Sequence, residues 1–187
     1  MNYSHEILDA ANSEHSIAYE RFITWTKSTS LEDLQILSEL IFKKSFYERI
    51  SPFLSINDYQ NLLLGYYRRC IIENPKNDDL TSRYEACWEL LSWFNNLWKD
   101  KDENHKQLLE IKEYLSDLYR NGDKEIRHAI IYAVLEHLFE NATIRRFFYD
   151  WKDCPLLSDA YKSASLFGDA LKSESILKSD VQGPLKE

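Results

Sequence analysis

The stretch LLEIKEYLSDLYRNGDKEIRHAIIYAVLEHLF, residues 108–139, decides the fold class. Its first half places Leu108, Ile111, Leu115 and Leu118 at three- and four-residue intervals, opposed by Glu110, Glu113 and Asp117. That spacing predicts a helix with one apolar and one wet, acidic face. Asn121-Gly122-Asp123 reads as a left-handed stop followed by an Asp that accepts from the free amides of the next helix. The junction leaves almost no linker, so the two helices are expected to pack antiparallel. Beyond it Ile126, Ala129, Ile130, Ala133, Val134, Leu138 and Phe139 form a broad apolar arc, as expected of a central helix over Lys124 to Glu140.

The same periodicity continues outward. Upstream, Leu80 to Trp98 carries Tyr84, Cys87, Trp88, Leu91 and Trp98 on one side and Leu90, Trp93, Phe94 and Leu97 around the next, predicting a second central helix apolar over most of its circumference. Lys99 to Glu103 is expected to be a charged connection. Near the N-terminus Leu8, Ala11, His15, Ala18, Phe22 and Trp25 fit one face of a first helix, on which His15 would be a packed core residue. Ser30 with Asp33, and Ser55 with Asp58, mark two further helix starts, with Pro52 bounding the helix between them and Asn74 to Asp79 forming a loop. Downstream lie an aromatic-basic segment from Arg145 to Trp151, Pro155, and a last helix near Leu156 to Phe167.

The expectation is therefore an all-α, single-domain bundle of about seven helices over residues 3–170, the fourth and sixth central, with helical-repeat-like packing compatible with the pattern. Residues 171–187 are polar and are expected to fray. Only four Gly and four Pro occur in 187 residues, too few to turn the many short strands of a sandwich or barrel. Twenty-three Lys and Arg stand against 31 Asp and Glu, a formal charge of −8, which disfavours direct nucleic-acid binding and favours basic partners. Cys70, Cys87 and Cys154 match neither a disulfide framework nor a metal knuckle and read as reduced thiols. With neither a secretion signal nor an apolar run long enough for a membrane span, a cytoplasmic location is expected.

No phosphate-binding loop, nucleophile elbow or zinc-protease motif occurs, so no enzyme, catalytic residue or cofactor is indicated. Glu125 and His128 have the Glu-x-x-His spacing of di-iron bundles, continued by Tyr132 and Glu136, yet the second such pair that a di-iron site needs is missing. A metal-dependent helical enzyme and a helical adaptor or regulator are the alternative readings. His5, His105 and His137 lie scattered among polar neighbours. Tyr66-Tyr67-Arg68-Arg69 and Arg145-Arg146-Phe147-Phe148-Tyr149 mix aromatics with arginine as single-strand nucleic-acid surfaces do; in an acidic chain, core rings or a protein interface account for them better. Asp100, Asp102, Glu103, Glu110, Glu113 and Asp117, with Glu136 and Glu140 nearby, form the candidate partner-binding set, since carboxylates opposite a partner's Lys and Arg accelerate encounter.

The segment Tyr114 to Phe139, with Leu118-Tyr119-Arg120-Asn121-Gly122-Asp123-Lys124-Glu125-Ile126-Arg127 and then Ala133-Val134-Leu135-Glu136-His137-Leu138, resembles the all-helical immunity proteins of bacterial contact-dependent and polymorphic toxin systems. Lys124 departs from the acidic residue usual in that helix start. The resemblance implies a binder that neutralises a cognate toxin domain, a basic nuclease being the favoured class, without catalysis of its own. It does not carry individual binding residues over, and it leaves the toxin's identity and the oligomeric state open.

Overall fold

The computed structural model describes residues 2–77 and 79–167. The chain is all-α and packs as two compact units, one up to Ala86 and one from Cys87 onward. Ten α-helices are bounded among the described residues, more than the seven expected, because several predicted helices are divided by short breaks.

The first unit holds α1 (Ser4–Asn12), α2 (Tyr19–Thr26), α3 (Leu31–Leu40), α4 (Lys44–Tyr47), α5 (Ile56–Glu73) and the start of α6 (Arg83–Lys99). The single first helix expected through Trp25 is in fact two helices. Between them β1 (Ile17–Ala18) pairs in parallel with β2 (Ile50–Ser51), and both Ile17 and Ile50 are buried there. Phe22 and Trp25 are core, as expected, but Leu8 and His15 are exposed and Ile7 takes the buried place on α1. The break is stabilised from a distance. The Arg49 guanidinium donates to the carbonyls of Ala10 at 2.8 Å, Ala11 at 3.3 Å and His15 at 3.2 Å, and to that of Ser13. It thereby takes up carbonyls at and beyond the end of α1, sharing that of Ala10 with the Ser13 amide.

Ser30 caps α3, accepting from the Asp33 amide at 3.4 Å. The Asp33 carboxylate itself is fully buried, accepting from the Tyr3 amide at 2.8 Å and from the hydroxyls of Ser4 and Ser28. A buried carboxylate needs such donors. Helix α3 stops at Leu40 rather than running to Pro52, and α4 and β2 fill the interval. Helix α5 starts in a capping box, Ser55 and Asp58 each bonding the other's backbone amide, and ends at Asn74 in the left-handed region (φ 46°). Buried Arg83 caps that end, donating to the carbonyls of Ile71 at 2.6 Å and Ile72 at 3.4 Å.

The second unit contains the rest of α6, then α7 (His105–Asn121), α8 (Lys124–Ile130), α9 (Glu136–Phe139) and α10 (Ala142–Phe147). On α6 only Cys87, Leu90 and Phe94 of the expected residues are fully buried, while Trp88 is 54% exposed. The helix thus shows one apolar face, not an apolar circumference. Residues 124–139 do form a broad buried arc, through Ile126, Ala129, Ile130, Val134, Leu138 and Phe139. A π-helical turn, Ile131–Leu135, joins α8 to α9; it widens the arc so that Ile131 and Leu135 are buried as well, leaving Tyr132 outside.

Gly122 ends α7 in an extended conformation (φ −77°, ψ 154°), not the left-handed one expected. Space accounts for the glycine instead. A Cβ there would stand 2.5 Å from the Leu118 carbonyl oxygen and 2.6 Å from Ile126 Cγ2. Asp123 caps α8 as expected, accepting from the Ile126 amide at 2.8 Å. Arg127 reaches back to the Tyr119 carbonyl at 2.9 Å and that of Arg120 at 3.2 Å, closing the end of α7.

Phe148 is the centre of an aromatic cluster, its ring 5.8 Å from Phe94, 5.6 Å from Phe139 and 5.2 Å from Trp151. Trp151 belongs to a 3-10 turn, Tyr149–Asp153, and residues 158–167 are helical. Lys112, 6% exposed on the apolar side of α7, serves this corner. Its ammonium donates to the Phe147 carbonyl at 2.9 Å, pairs with Asp150 and lies over the rings of Phe147 and Phe148. The tail expected to fray, 171–187, lies outside the described residues.

Candidate functional site

The buried residues of α7 are Leu108, Ile111, Lys112, Leu115, Ser116, Leu118 and Tyr119. At 100° per residue, Glu110, Glu113 and Asp117 stand on the opposite side of the helix. They form one line about 10 Å long at 1.5 Å per residue, directed away from the core of the second unit. Lys106 begins the line and pairs with Glu110 at 3.7 Å, while the Asn121 side chain donates to Asp117 at 2.6 Å. Glu113 is exposed, so the ridge presents carboxylate oxygens to solvent along its middle.

Asp100, Asp102 and Glu103 are exposed in the connection before α7, at the N-terminal end of this ridge. There they alternate with Lys99 and Lys101, so the connection is close to charge balance and the carboxylate excess is on α7. Both lysines are partly engaged, Lys99 donating to Asn96 Oδ1 at 2.8 Å and Lys101 lying 5.8 Å from the Trp98 ring centre. Glu136 and Glu140 sit on and just after α9, apart from the outward line of α7. Burial pushes the Glu136 carboxyl above its ordinary range against the opposing pull of His137. Glu140 faces His137 Nδ1 at 3.2 Å. Six of the eight candidate carboxylates thus lie on α7 or in the connection that leads into it, and these two stand on another element.

The two arginine-aromatic clusters divide between core and surface. Tyr66, Tyr67 and Phe148 are buried, and Arg69 forms an ion pair with Glu73 at 2.6 Å. Arg146 and Tyr149 remain exposed. In the metal alternative, the His128 ring stands edge-on to Tyr132 at 5.6 Å, and among the described residues no three His, Cys, Asp or Glu side chains converge as a metal site. Among the described residues no helix is long and apolar enough to cross a membrane.

Cys154 carries the most distinctive thiol. The Arg120 guanidinium donates to its Sγ at 3.7 Å and holds the thiol below its ordinary range, aided by the backbone amides of Leu156 and Leu157. Cys70 differs, since burial pushes its thiol up to about 11. Sequence spacing offered no sign of either environment, nor of Lys112, whose cationic head is buried on the apolar stripe of α7 where hydropathy predicts an aliphatic residue. Compared with protein-family models, curated proteins and solved structures, the chain shows no match.

Proposed function

We propose that this chain is a cytoplasmic immunity protein that binds a cognate toxin domain, with a basic nuclease as the preferred class, and neutralises it by protein-protein contact. The observation that supports the reading is the carboxylate ridge of α7, which lies opposite that helix's buried stripe and continues into the exposed Asp100, Asp102 and Glu103. Carboxylates fixed on a rigid helix steer a cationic partner and can then form charge-assisted hydrogen bonds with its Arg and Lys. Leu109, 41% exposed and one turn before Glu113, adds an apolar anchor beside the ridge.

The test is capture of the partner from native host lysate, followed by charge reversal at three exposed positions, Asp100→Lys, Glu103→Lys and Glu113→Lys. Recovery of a basic toxin domain whose association rate drops on the order of 10-fold in the triple variant supports the proposal. Unchanged kinetics would move the interface off α7, and capture of no toxin would return the adaptor reading.

A further inference from the structure

All nine arginines of the chain fall among the described residues, and eight of them are engaged within it. Arg146 is the exception. It is exposed and, among the described residues, its side chain has no hydrogen bond, ion pair or ring contact. It lines a cleft of about 370 Å³ within the second unit, bounded by Trp98 at the end of α6, Lys101 and Asp102 in the connection, His105 at the start of α7, and Phe147 on α10.

The rings of this cleft are held in place. Trp98 stacks on Phe94 at 5.8 Å (interplanar angle 15°) and meets the edge of Phe147 at 5.3 Å, and His105 stands edge-on to Phe147 at 6.1 Å. Cationic groups sit beside them, since Lys101 lies near the Trp98 ring and the Arg146 side chain is unpaired among the described residues. Asn104, just before α7, makes no side-chain cap to that helix, and its side chain donates to the Leu97 carbonyl at 3.2 Å.

Fixed aromatic rings beside an unpaired guanidinium and an ammonium suit one chemical class, a planar heteroaromatic ring carrying a phosphate. We infer that this cleft binds a free mononucleotide, with Trp98, His105 and Phe147 against the base, and Arg146 and Lys101 on the phosphate. Asp102 is placed on the rim as an acceptor for ribose hydroxyls. The volume accommodates one nucleotide, and a chain of charge −8 disfavours a longer polyanion, so a single strand is the weaker ligand. The inference stands apart from toxin binding and does not depend on it.

Isothermal titration of the full chain with AMP, adenosine, ribose 5-phosphate, inorganic phosphate and an oligothymidylate tests it. AMP is expected to bind saturably, with adenosine and ribose 5-phosphate each at least about 10-fold weaker because each lacks half of the recognition. Arg146→Ala is expected to weaken AMP by at least about 10-fold, the loss of a charge-assisted pair. Arg146→Lys is expected to recover part of that affinity. Arg146 is exposed, so the fold of the variants is checked simply by circular dichroism, and Lys101→Ala gives a second, independent loss. No saturable heat at millimolar AMP, equal affinity in Arg146→Ala, or an oligonucleotide binding more tightly than AMP would each overturn the inference.

Discussion

Cations in this chain close helices. Arg49, Arg83 and Arg127 each donate to carbonyls at or just beyond the C-terminal ends of α1, α5 and α7, and Lys112 does the same for α10. Carbonyls at those ends have no helical partner and carry the negative end of the helix dipole, so a cation there satisfies both needs. Two of the four, Arg83 and Lys112, are buried. Lys112 is the strongest case because its head is buried. Replacing it with Met keeps the stem's packing but strands the Phe147 carbonyl, and should cost roughly 2 kcal/mol, read as a lowered urea midpoint. Exposed Asp150 loses its partner to water and adds little. Cys154 is the second residue-scale case. Because the thiolate is the reactive form, Cys154 should be alkylated by iodoacetamide at neutral pH well before Cys70, and Arg120→Ala should slow it. Equal labelling of the two thiols by mass spectrometry would refute that.

Helix ends and irregular turns carry the element-scale lessons. The junction of α7 and α8 depends on the close approach at Gly122, and a methyl there would collide with the Leu118 carbonyl oxygen, a backbone atom that cannot swing away, as well as with the Ile126 side chain. Gly122→Ala should therefore destabilise by about 1–3 kcal/mol in chemical denaturation, although the backbone angles there suit any residue. A stability equal to that of the parent would mean that the junction relaxes freely. The π-helical turn at Ile131–Leu135 makes the opposite point, since one extra residue per turn brings more of a nearly continuous apolar run inward than an α-helix could. The capping box at Ser55 and Asp58 is the clearest case of a boundary readable in sequence, because its geometry needs only residues three apart.

At the scale of the molecule, charge is evenly shared: counting along the sequence, each unit carries about half of the −8, so net charge alone does not mark an interface. Arrangement does, through the line Glu110, Glu113 and Asp117 on the outward side of α7. If that line steers a basic toxin, the association rate should fall steeply as salt rises through about 0.5 M while dissociation changes little, because screening acts on the encounter. A rate indifferent to salt, measured by surface plasmon resonance, would point to an apolar interface.

Local periodicity determined the helical class, the buried arc of residues 124–139 and the outward direction of the α7 carboxylates, because each depends only on residues three or four apart. The split first helix was not legible, since the pairing of Ile17 with Ile50 and the reach of Arg49 to Ala10 join residues more than 30 positions apart. The same holds for the exposure of Trp88, the burial of Lys112, and the meeting of Trp98, His105 and Arg146 at one cleft. A side chain's neighbours across the fold decide whether it packs, pairs or stays open, and only the tertiary structure supplies them.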